Sequence, residues 1–171
     1  MTDTAKSTAP TYELTVAGGA SLLLSPLSEA DAQRLGAAFA AIDPWAAYGY
    51  AAETLVKFLA TVEPGAQRLA LTYEGSVVGA VVIRPAWLRG PYLQFLAILP
   101  GAQGQKLGSA FLAWMEREAR DAGERNLWVA ASEINGDAIR FYLRHGFQPA
   151  AHLDDLAYDG RTEILFRKRL V

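Results

Sequence analysis

Two stretches of this chain hold residue types at spacings that can do chemistry. In the first, LAILPGAQGQKLGSAFL (96–112), an apolar strand-like run passes through a short glycine-bearing turn directly into a helical pattern. Such a turn leaves the first backbone N–H groups of the helix without intrahelical partners. It aims them, with the positive end of the helix dipole, at one spot. An anion fits there. Gly104 and Gly108 matter because a missing Cβ lets the chain approach a diphosphate closely. The segment is not a Gly-Lys-Ser/Thr phosphate loop, nor the Gly-x-Gly-x-x-Gly of dinucleotide folds. The second stretch is NGDAIRFYLRHGF (135–147), in which Asn135 is set to cap a helix that carries Tyr142 and ends at Gly146.

Together these stretches resemble the GNAT superfamily of acyl-CoA-dependent N-acetyltransferases. Its first signature is a strand followed by Gln/Arg-x-x-Gly-x-Gly/Ala at a helix start, which Gln103 to Gly108 matches except that Lys106 replaces the inner glycine. Its second is Asn-x-x-Ala-x-x-Phe-Tyr-x-x-x-Gly-Phe, matched by residues 135–147 at every defined position. The resemblance implies acetyl-CoA as cofactor and CoA as product. It assigns the pyrophosphate to Gln103, Gly104, Gln105, Lys106, Leu107, Gly108 and Ser109. Main-chain pairing with pantetheine falls to Ala97, Ile98 and Leu99, and protonation of the departing thiolate to Tyr142. A phenol, with an ordinary pKa of about 10, is still protonated at neutral pH and suits that last role. Asn135 either contacts the cofactor or only caps its helix. Lys106 either pairs with a CoA phosphate or crowds a place usually bare, and Arg140 and Arg144 either reach the adenosine phosphates or form a surface face.

The general base is less determined. Some members of the superfamily carry a glutamate on the pantetheine-pairing strand, where this chain has Tyr92, so Glu133, just beyond the neighbouring strand, is either the candidate or simply an exposed loop glutamate. A water relay is the alternative. Trp45 and Tyr48 of an aromatic loop, with Tyr92, are expected to wall an amine-acceptor pocket, or else to pack helices on the sheet. The expected reaction is acetyl transfer to a primary amine of a small molecule or peptide. Two other readings stay open: a CoA-binding or sensing domain without turnover, and a protein-interaction module on the same fold.

Composition narrows the field. A net charge of −2 offers no global positive field for nucleic acid. With no cysteine, and with only His145 and His152 as imidazoles, neither a disulfide framework nor a metal centre is expected. The longest apolar run, Val77 to Ile83, is too short to span a bilayer, and MTDTAKSTAP lacks the apolar core of a signal peptide, so a cytoplasmic location without membrane contact is expected. Oligomeric state is open, a homodimer included.

The positioning elements follow from hydrophobic periodicity. Tyr12–Val16 and Ser21–Leu24, split by Gly18-Gly19, read as a hairpin or a pair of edge strands. A helix covers about 28–42, and a second runs through Leu55, Phe58 and Leu59 to Pro64-Gly65. RLALTY and SVVGAVVI make a hairpin, with 84–91 as a turn region. A strand at 91–99, a helix from about 104 to 122, a strand at 126–132, the Asn135 helix and a closing hairpin around Asp159-Gly160 complete the chain. The expectation is a single α/β (α+β) domain over 12–171, with a mixed, mostly antiparallel sheet flanked by about four helices, after a disordered tail at 1–11.

Overall fold

A computed structural model describes residues 10–171. All but Pro10 and Thr11 of the expected tail lie outside the described residues. Strands β1 (Tyr12–Thr15) and β2 (Ser21–Pro26) are followed by helices α1 (Glu29–Phe39), α2 (Trp45–Tyr48) and α3 (Ala52–Ala60). Then come β3 (Gln67–Tyr73), β4 (Ser76–Trp87), β5 (Gly90–Ile98), a 3₁₀ turn at Pro100–Ala102, α4 (Leu107–Asp121), β6 (Asn126–Ser132), α5 (Gly136–Arg144), β7 (Gln148–Asp154) and β8 (Thr162–Arg169). The eight strands form one sheet in the order β1-β2-β3-β4-β5-β6-β8-β7, antiparallel everywhere except between β5 and β6. The expected mixed, mostly antiparallel α/β sheet is therefore found. α2, a single turn inside the anticipated aromatic loop, adds a fifth helix.

The apolar residues sort into two cores, one on each face of the sheet. Phe111, Met115, Phe147 and Phe166 bring α4, and the chain around α5, onto one face. Leu35, Phe39, Leu55 and Leu59 bring α1 and α3 onto the other. The α1–α3 contact depends on Gly36, where an added Cβ would lie 2.7 Å from the Val56 backbone. Alanine is about 1 kcal/mol better than glycine inside a helix, yet here the overlap is with backbone, and overpacking costs about 1–3 kcal/mol. Gly36→Ala is therefore expected to lower the melting temperature by several degrees, read by thermal unfolding. A rise would show that the two helices part freely.

The β4–β5 turn differs from the expectation. β4 continues to Trp87, and the chain reverses at Leu88 and Arg89, both in positive φ. Gly90 starts the return because its Cα lies against the Asn126 carbonyl, where any side chain would collide. Further along β5 the register slips: Val82 faces Phe95 while its neighbour Ile83 faces Leu93, so Gln94 is an extra residue. This bulge turns Leu93 toward the α4 face and Phe95 toward the α1 face.

Candidate active site

The parallel junction of the sheet is short. β5 and β6 pair only through Tyr92 with Trp128 and Leu93 with Val129. Past Leu93 the bulge bends β5, the strands diverge, and a wedge opens between Gln94–Ile98 and Ala130–Ser132. Main-chain N–H and C=O groups of β5 face this wedge without a strand partner. A cleft occupies it, lined by Gln94, Phe95 and Leu96 of β5 and by Ala130, Ala131 and Ser132 of β6, together with Asn135, Ala138 and Tyr142 from α5. Trp45, Tyr48 and Tyr50 close it on the α2 side, and Glu163 on the β8 side.

The glycine-bearing turn follows the end of β5. Gln103 donates from Nε2 to the Ile98 carbonyl at 2.9 Å, tying the turn back onto the strand. Gly104 has φ 80°, with open space where a Cβ would stand, and Gln105 is exposed. Lys106, also exposed, has φ 63° and immediately precedes α4. Helix α4 begins at Leu107 rather than at 104, so Gln103 to Lys106 belong to the turn. Leu107 to Ser109 form the first helical turn, with unpartnered N–H groups. The Leu107 side chain is buried in the core, so only its backbone is available. Ala97 is also buried, whereas Ile98 and Leu99 are half-buried at the strand end. Open strand main chain thus leads into a turn with a bare Cα at Gly104 and, beyond it, the N–H donors of a helix start, an arrangement that suits an anion.

Two positions in the turn have reasons of their own. A Cβ on Gly108 would lie 3.0 Å from Phe141 Cζ, so that glycine also lets α5 close onto α4. Lys106 occupies left-handed backbone, which costs an L-residue about 1–2 kcal/mol, and the signature it departs from has glycine there. Lys106→Gly is expected to raise the melting temperature by a few degrees, because the strain relieved exceeds the roughly 0.5–1 kcal/mol entropic cost of glycine. A fall in thermal unfolding would show that the lysine side chain anchors the turn.

Tyr142 lines the cleft from α5, buried with its ring near Phe141, Phe147 and Phe166. Burial, with a smaller contribution from Tyr92, pushes its phenol far above the ordinary value, so it stays protonated. Asn135 caps α5 as expected, its Oδ1 accepting from the Ala138 N–H at 3.1 Å, and it also lines the cleft. Ser109 lies 3.0 Å from His145 Nε2, which links α4 to the end of α5.

The three expected acceptor residues separate. Trp45 lines the cleft while stacking on Phe95 at 5.0 Å between centroids. Tyr48 lines it too, donating to Glu163 Oε1 at 3.1 Å and bonded to the Ser132 hydroxyl, with Tyr158 stacked on its ring. Tyr92 sits below, where β5 and β6 still pair, against Trp87 at 4.9 Å. It is not among the residues lining the cleft. Burial first, then Glu163, raises its pKa.

The carboxylates part in the same way. Glu133 is exposed on the β6–α5 loop, accepts the Thr162 N–H at 3.3 Å, and does not line the cleft. Glu163 does, because the β6–β8 register sets it opposite Ser132. Burial raises its pKa above the usual carboxylate range, assisted by Glu133 and opposed by hydrogen bonds from Tyr48 and Ser132. Sequence reasoning missed Glu163 because TEILFRKR carries no motif. Its place follows from strand register alone.

Comparison with known proteins matches this architecture. The model of the acetyltransferase (GNAT) family matches residues 30–147. The aminoalkylphosphonate N-acetyltransferase of Salmonella typhimurium is 46% identical over 56 residues, 33% of this chain and 36% of that protein. The streptothricin acetyltransferase of Streptomyces lavendulae is 29% identical over 93 residues, 54% of this chain and 49% of that protein. The chain thus spans between about a third and a half of these curated relatives. Among solved structures, an aminoglycoside 6′-N-acetyltransferase complexed with coenzyme A superposes with a TM-score of 0.64 at 14% identity, over 86% of this chain and 97% of that one. Among the described residues no helix is long and apolar enough to cross a membrane. Motifs, fold and family match agree, and the chain belongs to the acetyltransferase (GNAT) family.

Proposed function

We propose that the protein transfers an acetyl group from acetyl-CoA to a primary amine, with Tyr142 as general acid and Glu163 as general base. Acetyl-CoA would supply an acyl group already activated as a thioester. The relatives support an amine acceptor, since the two curated ones are an aminoalkylphosphonate N-acetyltransferase and a streptothricin acetyltransferase. A cytoplasmic setting accompanies this reading.

One observation carries it: the wedge between β5 and β6 brings an open strand edge, Tyr142 and Glu163 into one cleft, and the same strand runs on through the glycine-bearing turn into α4. In the roles that follow, main-chain groups at the end of β5 around Ile98 bind pantetheine, the Leu99 N–H being held by the Val78 carbonyl of the neighbouring strand, and an N–H near Ile98 polarises the thioester carbonyl. N–H groups from Gly104 to Ser109 hold the pyrophosphate. Glu163 removes the proton of the bound ammonium, because its raised pKa makes the carboxylate a stronger base than an exposed one. Tyr48 holds that carboxylate in place through its hydroxyl, which is itself bonded to the Ser132 hydroxyl. Tyr142 keeps a proton available for the departing sulfur. Glu133, turned to the Thr162 N–H, is left to close the loop.

The test is thiol release from acetyl-CoA across a panel of primary amines, combined with hydrogen exchange of the apo protein and of protein saturated with CoA. Turnover with at least one amine, and slowed exchange over 97–109, are expected. Unchanged exchange at saturation would remove the cosubstrate from the wedge. Slowed exchange without any thiol release would favour a CoA-sensing domain.

A further inference from the structure

The chemistry of the cleft wall points to a class of acceptor. Glu163 is its only charged residue, and no lysine, arginine or histidine lines it among the described residues. The remaining polar groups are neutral: the hydroxyls of Tyr48, Tyr50, Ser132 and Tyr142 and the amides of Gln94 and Asn135. Two cations stand nearby without lining it. Arg84 donates from Nε to Gln94 Oε1 at 2.8 Å and is paired with Glu63. Arg161 is exposed, its guanidinium carbon 5.8 Å from the centre of the Tyr48 ring. The acceptor end is otherwise aromatic, with Trp45, Tyr48 and Tyr50 on the wall and Tyr158 stacked on Tyr48 at 5.2 Å.

We propose that this cleft selects primary amines with a neutral, preferably aromatic or apolar, body and rejects amines that carry a carboxylate on the adjoining carbon. The inference rests on the acetyl-transfer reading above and deepens it. A carboxylate on the amine-bearing carbon lies within about 4 Å of the nitrogen by covalent geometry, so it must enter the cleft with it. There it meets Glu163 and finds no positive partner. A buried anion without a counter-charge is penalised both by lost hydration and by repulsion from the like charge. The ammonium group has the opposite experience, with a carboxylate ahead of it and ring faces beside it. Two like charges about 5–6 Å apart near a protein surface are enough to change relative affinity by about a hundredfold.

The experiment compares phenethylamine, phenylalanine and phenylalaninamide at pH 7, by kcat/KM for acetyl transfer and by equilibrium binding to the CoA-saturated protein. The amide keeps the bulk of phenylalanine and loses only its charge, so it separates electrostatics from size. Phenethylamine and phenylalaninamide are each expected to exceed phenylalanine by about thirtyfold or more in both measurements. Glu163→Gln is expected to narrow that ratio even as turnover falls, because the repelling charge is gone. A ratio below about thirtyfold, or one that Glu163→Gln leaves unchanged, overturns the proposal. If carboxylated amines are acetylated as well as the others, the selectivity inference falls while acetyl transfer stands. If acetyl-CoA neither binds nor turns over, both fall together.

Discussion

Tyr142→Phe is expected to lower kcat by about 10²-fold or more while changing CoA affinity little. The substitution removes one hydroxyl from a ring otherwise held by Phe141, Phe147 and Phe166, so packing survives. Burial has already pushed the phenol far above its ordinary value, so Tyr142 stays protonated over any usable pH. The parent kcat therefore shows no alkaline loss from this residue. A thiol with a pKa of about 8.5 can leave unassisted at some cost, so the variant retains activity that recovers in part as pH rises. The measurement is a pH profile of kcat for both proteins with one saturating amine. Equal rates throughout would make Tyr142 a core aromatic and nothing more.

Glu163→Gln carries the second large effect, a fall in kcat/KM of about 10²–10³-fold. In the parent, activity is expected to rise with pH as Glu163 ionises, above the usual carboxylate range, and that limb is expected to vanish in the variant. Stability moves the other way. Because folding raises this pKa, the native state holds the Glu163 proton more tightly than the unfolded chain does. Native Glu163 therefore favours folding below the ordinary carboxylate pKa, and that contribution is lost as pH rises through the raised value. The glutamine variant should gain thermal stability relative to the parent at pH 8, by more than any difference at pH 4. The gain is small because the group is half-exposed. Melting curves at the two pH values test the sign, and a variant less stable at pH 8 would mean that the bonds to Tyr48 and Ser132 outweigh burial.

The two stretches with which the sequence reading begins fold as the strand-turn-helix unit and the capped helix expected of them, because such punctuation is local. Gly104 and Asn135 stand where their backbone and capping chemistry predicts, whereas the bare face of Gly108 is turned to Phe141. The bulge at Gln94 was hidden for a physical reason. Both faces of the sheet are covered, so Leu93, Phe95 and Ala97 are all buried and alternate with half-buried neighbours, as in an unbroken strand. Only pairing with β4 shows that the faces exchange. The reversal at Leu88-Arg89 was equally obscure, since the residues in positive φ are not the glycine, asparagine or aspartate that usually mark such turns. Glu163 became visible once β8 was inserted between β6 and β7. A residue set in place by a long-range register leaves no spacing signal near itself, and this is why Glu133, adjacent in sequence to β6, was the candidate instead.

The divergence of β5 from β6 bears on how the protein avoids its own kind. An unpaired row of backbone N–H and C=O groups at the rim of a sheet is a template on which a second polypeptide can add a strand and begin an aggregate. Here the row is exposed in the interior of an eight-stranded sheet, and the gap narrows to nothing where Leu93 meets Val129. A flanking strand would have to taper to zero width to follow it, and α5 with Tyr142 stands in its way. A slender, flexible chain with amide groups spaced along it meets no such obstacle. The fold thus keeps an adhesive edge permanently available while screening it from other proteins by shape.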